Sequence, residues 1–385
     1  MVQLKKFDEY ALVCDFRINL CDLIHPSQAM FLSLCTGAFT IQHLEYLISE
    51  VYQLPLEESS ELVKAYLNKS SPYIDLLPES HPCESFKYDP EIFLQKSTDD
   101  FDKYNFLPVP NPIGININLT FQCNLNCRYC YQTRSNSDAE KLDLDKCLML
   151  IREAAELGVV YVGLTGGEPT LFNGWTILLE EILKLGMIPL FTTNGVVIGE
   201  NPDTANHLKE IGLKEIAVSL DASNPELHHY ITRSHNTYSK VRNAISSLVN
   251  SGINVSVKSV LVKENIKDIE NLIDLLVNLG VSEIGITSCG LGACGSDANK
   301  IPRINSDDIA IVWEKIKVKS KQYSGICKIY PPEDNSCMLD ENGWYPCGGL
   351  YFGMIIFPSG KVSICDKLRE DTPFVYGDVY KNSIK

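Results

Sequence analysis

Three cysteines lie close together in the stretch QCNLNCRYCYQ: Cys123, Cys127 and Cys130. Thiolates at such spacings bind zinc or iron–sulfur centres, and 14 cysteines scattered at random would give this spacing roughly 0.02 times per chain. Structural zinc usually has four protein ligands, and no fourth histidine or cysteine lies near enough in sequence to supply one. A cubane held by three cysteines leaves one iron open to a non-protein ligand. The spacing therefore favours an iron–sulfur cluster, with zinc and a distant fourth ligand as the alternative.

Composition narrows the class of protein. The chain has 385 residues, 45% of them hydrophobic and 22% charged, which is typical of a soluble globular protein with two or three domains. It has no run of 18 apolar residues, and its start, MVQLKKFDEY, has no apolar segment behind the basic residues. We therefore expect a cytoplasmic protein with no membrane partner, whose 14 cysteines serve metal or thiol chemistry. A net charge of −15 argues against nucleic acid as a partner.

The middle of the chain alternates apolar runs with amphipathic stretches, which indicates βα units and a parallel sheet. We predict an α/β fold with a partial (βα)6 TIM-like barrel at residues 113–304, and a doubly wound sheet is the alternative. The six runs are GININLT, VVYVGLT, MIPLFTTN, EIAVSLD, NVSVKSVLV and SEIGITS.

Residues of varied chemistry follow five of these runs. The cysteines follow the first, TGGEPT the second, TTNG the third, SLDAS the fourth and SCGLGACG the sixth. Since the carboxyl ends of parallel strands meet at one edge of the sheet, we expect these residues to form one cofactor site.

The cysteine spacing, with Tyr129 before the last cysteine, resembles the signature of radical S-adenosylmethionine (SAM) enzymes. The resemblance implies a 4Fe-4S cluster at the triad whose open iron binds SAM. One electron from a low-potential donor, a flavodoxin or ferredoxin, would then cleave SAM to a 5′-deoxyadenosyl radical that abstracts a substrate hydrogen.

The resemblance extends to polar and glycine positions after the later strands. Taken singly, each is an ordinary turn or a surface charge, and their order behind the triad supports the functional interpretation. The turn Gly166, Gly167 and Glu168 is similar to the one that contacts the methionyl amine in that family. The positions that match ribose, methionine or carboxylate contacts of SAM are Asn194, Ser219, Asp221 and Arg233.

A second cysteine group lies in residues 305–385, which we predict to be a small cysteine-rich domain. Cys347 and Cys365 form a C-x12-G-x4-C pattern, with Cys337 and Cys327 upstream. The pattern resembles the start of a SPASM domain or its shorter Twitch relative, which implies at most one auxiliary iron–sulfur cluster. Buried small side chains or a working thiol are the alternatives.

The first 70 residues contain two apolar β-branched runs and three helix-like stretches, which predicts a small winged-helix-like domain. It resembles the PqqD-like leader-recognition element of enzymes that mature ribosomally made peptides (RiPPs). This implies a precursor-peptide partner bound by strand addition. A DNA-binding winged helix, disfavoured by few basic residues, and an inert accessory domain are the alternatives. Residues 71–112, rich in proline, serine and acidic side chains, are predicted to be a linker.

Two peptide chemistries fit equally well at this point. Hydrogen abstraction can lead to a thioether or carbon–carbon crosslink, or to an L-to-D epimerisation in which a thiol returns hydrogen. Cys289 and Cys294, after the sixth strand, are candidate thiol donors. A radical SAM enzyme acting on a small molecule such as a tetrapyrrole, and a non-catalytic iron–sulfur or zinc protein, are the alternatives.

Overall fold

The chain folds into two compact units, residues 1–108 and 109–385. The finer division at residues 70, 112 and 304 stays a prediction. In this computed structural model the described residues are 2–6, 11–15, 20–71, 73–74, 90–94, 112–132, 142–288, 304–332, 353–366 and 374–384.

The described part of the N-terminal unit has three strands followed by three helices. Strands β1 (Val2–Lys6), β2 (Ala11–Asp15) and β3 (Leu20–Ile24) form an antiparallel sheet in that order. The prediction of two strands missed β1, where Leu4 is buried in the core of the unit. The short alternation of apolar and polar residues at positions 2–6 was the signal for it.

Helices α1 (Pro26–Leu34), α2 (Ile41–Tyr52) and α3 (Leu56–Lys69) match the three helix-like stretches. Proline at the first position of α1 has the backbone angle that a helix start requires, and the Thr40 side chain caps α2. Phe93, in the 3-10 turn Pro90–Phe93, is buried in the same core. This described piece of the predicted linker therefore packs within the N-terminal unit.

The C-terminal unit contains a ten-stranded, mostly parallel sheet in its described residues. All six predicted strands are present and lie side by side in chain order. They are β4 (Gly114–Asn118), β5 (Tyr161–Thr165), β6 (Ile188–Thr193), β7 (Glu215–Ser219), β8 (Asn254–Leu261) and β9 (Glu283–Ser288). The predicted α/β class is confirmed.

Helices connect these strands and pack on one side of the sheet. Each strand lies next to its predecessor without a reversal, so right-handed crossovers all place their helices on the same face, as in a barrel and unlike a doubly wound sheet. The helices are α4 (Leu144–Glu156), α5 (Trp175–Lys184), α6 (Val196–Glu200), α7 (Asp203–Glu210), α8 (Pro225–Thr232), α9 (Tyr238–Asn250), α10 (Ile269–Asn278) and α11 (Ser306–Gln322).

Residues 305–385 extend this sheet at both ends. Strand β10 (Lys328–Tyr330) pairs in parallel with β9, and β11 (Gly353–Ile356) pairs in parallel with β4. Strands β12 (Lys361–Ser363) and β13 (Val375–Asp378) continue from β11 in antiparallel order. The described parts of the predicted small C-terminal domain are therefore joined to the sheet that carries the cysteine triad.

The two faces of the sheet differ in chemistry. Alternate residues such as Ile115, Val162 and Val257 enter the apolar core against the helices. The opposite face, called the inner face, carries mostly small and polar side chains, together with Tyr161, Ile188 and Leu190. Leu190, in the middle of β6, is 40% exposed, so this face is open. Its register includes Asn116, Asn118, Gly163, Thr165, Thr192, Ala217, Ser219, Ser256, Lys258, Glu283 and Gly285.

None of the helices in the described part of the chain has the length and apolar content needed to cross a bilayer.

Candidate active site

The three predicted ligands lie on the loop that follows β4, residues 119–132, called the cysteine loop. Cys123, Cys127 and Cys130 are half-buried, and none of the three is in a disulfide. Burial raises the pKa of Cys127 above its ordinary value, and the neighbouring Asp221, Cys130 and Cys123 raise it further. A cationic iron centre would reverse this preference, because metal binding requires and stabilises the thiolate.

Among the described residues, no group of three His, Cys, Asp or Glu side chains is placed to hold a single metal ion. The sign of a missing ligand is Asn118, at the end of β4 on the inner face. Its amide is fully buried, and both Nδ2 and Oδ1 have no hydrogen-bond partner in the described structure.

The predicted glycine turn packs directly on the cysteine loop. The Gly167 amide donates to the Thr120 carbonyl at 2.7 Å, and the Glu168 amide donates to the Gln122 carbonyl at 2.8 Å. A Cβ at Gly166 would lie 2.5 Å from the Thr120 oxygen, and one at Gly167 would lie 2.2 Å from the Gln122 oxygen. The two glycines therefore let two backbone segments touch, and Gly166 also has a φ of +138° that side chains rarely adopt.

Glu168 is buried and accepts hydrogen bonds from neutral groups of the protein. The Thr170 hydroxyl and amide donate to Oε1 at 2.5 and 3.1 Å, and the Thr193 hydroxyl donates to it at 2.6 Å. The Asn194 amide donates to Oε2 at 2.7 Å. Burial raises the pKa of Glu168 above its ordinary value, while these donors lower it. In this structure the carboxylate ties the turn after β5 to the end of β6.

Asn194, after β6, contacts the cysteine loop. Its Nδ2 donates to Asn124 Oδ1 at 2.7 Å and lies 3.9 Å from Cys123 Sγ, which also accepts from the Leu125 amide at 3.4 Å. Its Oδ1 accepts from the Val196 amide at 3.0 Å. The structure thus places Asn194 beside a predicted ligand.

Asp221, after β7, holds the aromatic residue of the triad motif. The Tyr129 hydroxyl donates to Asp221 Oδ2 at 2.6 Å, and the Val260 amide donates to Oδ1 at 2.8 Å. Burial raises the pKa of Asp221 to about 6. This pair joins the cysteine loop to the ends of β7 and β8.

The remaining predicted SAM contacts lie near this group. Ser219 is half-buried at the end of β7 on the inner face. Arg233 is exposed and follows α8 as its C-terminal cap, with a φ of +54°.

The second cysteine group is described only in part. Cys365 follows β12, and its neighbour Asp366 accepts a 2.5 Å hydrogen bond from Tyr131, the residue after Cys130. Cys327 instead is buried in the apolar core next to β10, where burial raises the pKa of its thiol to about 11. Cys289, Cys294, Cys337 and Cys347 lie outside the described residues.

Sequence reasoning did not single out Arg128, Tyr131, Asn118 or Asn124. Arg128, Tyr131 and Asn124 stand within or beside the cysteine motif, and Asn118 ends the strand before it. That position was the available signal, although the partners of Arg128, Tyr131 and Asn124 lie far away in the sequence.

Residues 117–276 match the family model of the radical SAM superfamily. This stretch contains the triad, the glycine turn and the residues after β6 and β7 described above. The prediction of a radical SAM superfamily domain is confirmed for these residues, which make up less than half of the chain. That superfamily implies SAM and a 4Fe-4S cluster as cofactors.

Curated relatives of two kinds share sequence with this chain. GTP 3′,8-cyclase of Clostridium perfringens is 30% identical over 211 residues, which cover 54% of this chain and 64% of that protein. PqqA peptide cyclase of Rhizobium meliloti is 24% identical over 281 residues, covering 71% of this chain and 72% of that protein. The chain thus spans less than two thirds of the cyclase from Clostridium perfringens.

Solved structures share the fold over 70% to 99% of the chain. SuiB of Streptococcus suis has a TM-score of 0.68 and 16% identity, covering 99% of this chain and 85% of SuiB. The enzyme anSMEcpe with bound AdoMet has a TM-score of 0.54 and 16% identity, covering 70% of this chain and 78% of that one. At these identities the likeness concerns the fold of the radical SAM domain and its surroundings.

Proposed function

We propose that this protein is a radical SAM maturase that modifies a ribosomally made precursor peptide. The observation that carries the proposal is the joining of a radical SAM domain to an N-terminal unit in one chain whose fold resembles SuiB over 99% of its length. SuiB has been solved bound to its precursor peptide SuiA, and PqqA peptide cyclase is a relative by sequence.

In this proposal the three cysteines would hold a 4Fe-4S cluster, which together with SAM would supply the radical chemistry that removes a substrate hydrogen. The chain's own residues position these groups. The glycine turn, Asn194 and the Tyr129–Asp221 pair fix the cysteine loop through the hydrogen bonds described above. Ser219, on the inner face, and Arg233, after α8, are proposed contacts of SAM. A flavodoxin or ferredoxin is the proposed electron donor.

The inner face would hold the part of the peptide that reacts. It is lined mostly by small and polar side chains, which leaves space above the sheet that a packed barrel core would fill. Lys258 lies level with Ser219 in the sheet and pairs with Glu283, the first residue of β9, at 3.1 Å. Glu283 also raises the pKa of nearby Glu215, after the larger effect of burial. Lys258 is thus neutralised by its surroundings.

A small-molecule substrate is the second candidate, because the sequence of GTP 3′,8-cyclase of Clostridium perfringens aligns with 54% of this chain. The paired Lys258 argues against a triphosphate on the described inner face, since phosphate recognition uses unpaired cations and bidentate arginine. The alignment covers 54% of this chain, so the remainder has no aligned counterpart in that enzyme.

The N-terminal unit is the proposed binding site for the leader of the precursor. Strands β1 and β3 are the outer strands of its three-stranded sheet, and each pairs with the central strand β2. An extended peptide can add to an outer strand through main-chain hydrogen bonds. A role as a PqqD-like recognition element is proposed on this basis.

The C-terminal cysteines are proposed to hold at most one auxiliary cluster in a SPASM- or Twitch-like region. Cys365 is the best supported ligand, because the Tyr131–Asp366 hydrogen bond fastens its loop beside the triad. Cys347 is its proposed partner. Cys337 is a weaker candidate, and Cys327 is weaker still, since it is packed in the apolar core.

The proposal is tested with the intact, reconstituted protein and three substrates: a leader-bearing peptide encoded beside its gene, the same peptide without leader, and GTP. We expect modification of the leader-bearing peptide, much less of the leaderless one and no new product from GTP. A crosslink removes the mass of two hydrogen atoms. Epimerisation leaves the mass unchanged in water and adds one deuterium in D2O, and Cys289 and Cys294 are the proposed thiol donors for that outcome. A cyclised nucleotide with an inert peptide would replace this proposal with the second candidate.

A further inference from the structure

The last turn of α8 ends at the cysteine loop. The final four carbonyls of a helix have no partner inside it, and in α8 these belong to His229, Tyr230, Ile231 and Thr232. The amide of Arg233 donates to the first of them at 2.8 Å. The other three accept from residues of the cysteine loop.

Asn126 and Arg128, which stand on the two sides of Cys127, supply these donors. The Asn126 amide donates to the Thr232 carbonyl and the Arg128 amide to the Ile231 carbonyl, both at 2.9 Å. Arg128 Nε donates to the Tyr230 carbonyl at 2.7 Å, and its guanidinium carbon lies 3.9 Å from the centroid of the Tyr230 ring.

These contacts reinforce each other. A cation at a helix C-terminus is favoured by the helix dipole, and the stacking on Tyr230 adds a cation–π interaction. On its other side the loop is bound by the glycine turn and by Asn194. The backbone around Cys127 is therefore fixed by protein contacts that need no metal.

We propose that Arg128 is a positioning residue: it makes the cysteine loop the C-terminal cap of α8, so that the triad is in place before iron binds. The inference rests on the triad holding the cluster of the proposed function. It goes further because it assigns to Arg128 a role in retaining that cluster. Arg128 itself is not a proposed contact of substrate or SAM.

The test compares four proteins reconstituted without oxygen: wild type, Arg128→Ala, Arg128→Lys and the control Arg152→Ala. Arg152 pairs with Glu181 at 2.6 Å on the helical layer, and its side chain is 58% exposed. Iron per chain, the rate at which a chelator bleaches the cluster, and the electron paramagnetic resonance spectrum of the reduced cluster with and without SAM are measured. Circular dichroism verifies folding.

We expect Arg128→Ala to fold and to lose its cluster roughly tenfold faster than wild type, the factor set by one charge-assisted hydrogen bond, with an altered resonance spectrum. Arg128→Lys keeps the charge and the contact with the ring and should recover part of the loss, while Arg152→Ala should match wild type. If Arg128→Ala does not fold, Arg128→Gln against Arg128→Lys gives the same comparison.

If the Arg128 variants kept the cluster as long as wild type and gave the same resonance spectrum, the inference would be overturned and the proposed function would stay intact. A wild-type protein that binds no iron would instead defeat the proposed function itself.

Discussion

Replacing Gly167 with alanine should displace the cysteine loop. The new Cβ would lie 2.2 Å from the Gln122 carbonyl oxygen and 2.7 Å from that of Phe121. The two segments must move apart by about 1 Å to reach the 3.4 Å at which ordinary contact begins. That movement breaks the hydrogen bonds from the Gly167 and Glu168 amides to the loop. Two backbone hydrogen bonds and local overpacking together correspond to about 2–4 kcal/mol of unfolding free energy.

Gly353→Ala is the matched control, because a Cβ there would lie 3.6 Å from the Gly114 oxygen, an ordinary contact. Urea unfolding of the metal-free proteins measures the stability change, and iron per chain after reconstitution measures the displacement of Cys123, which follows Gln122. We expect Gly167→Ala to lose both stability and iron and Gly353→Ala to retain both. Wild-type stability and iron content in Gly167→Ala would refute the packing argument.

Three further substitutions test the contacts of the site and its surroundings. Glu168→Gln places an amide donor against the donors around Glu168 and should lower the unfolding free energy by about 1–3 kcal/mol; a variant of unchanged stability that binds SAM more weakly would instead assign the carboxylate to the cofactor. Tyr129→Phe removes the 2.6 Å bond to Asp221 and should cost about 1–3 kcal/mol in urea unfolding, whereas a neutral result would mean that the bond adds nothing. Burial, and then the charge of the neighbouring His229, lower the pKa of His228 from 6.5 to about 4. As the pH falls, His228 therefore binds a proton in the unfolded state at a higher pH than in the folded state. The free energy of unfolding should fall by about 3 kcal/mol between pH 6.5 and 4. His228→Gln should lack that share of the acid sensitivity, and an identical pH profile would contradict this.

The strands of the C-terminal unit could be predicted from the sequence because each apolar run is short and is followed by a helical pattern. The sequence did not decide between a barrel and a doubly wound sheet, since both use the same βα units. The strand order resolves the choice, because β4 to β9 follow one another without reversal. The pairing of β11 with β4 joins residues more than 200 positions apart and has no local signal.

The positions of the site were predictable, but the partners of its side chains were not. Motif order placed Glu168, Asn194 and Asp221 at the carboxyl ends of neighbouring strands, as the structure has them. A buried carboxylate or amide needs hydrogen-bond partners. The partners of these side chains include residues on other loops, which come together only when the chain folds. Tyr129 and Arg128 contact residues about 100 positions away in the sequence.

The most direct test of the central claim uses anaerobically reconstituted protein, SAM and dithionite, with 5′-deoxyadenosine followed by mass spectrometry. The variant with Cys123, Cys127 and Cys130 changed to alanine is compared with a control in which Cys35 and Cys147 are changed, since both are free thiols outside the cysteine loop. The account predicts 5′-deoxyadenosine from wild type and control and none from the triad variant, with any residual iron marking an auxiliary site. Zinc in place of iron, with no cleavage of SAM by the wild type, would contradict it.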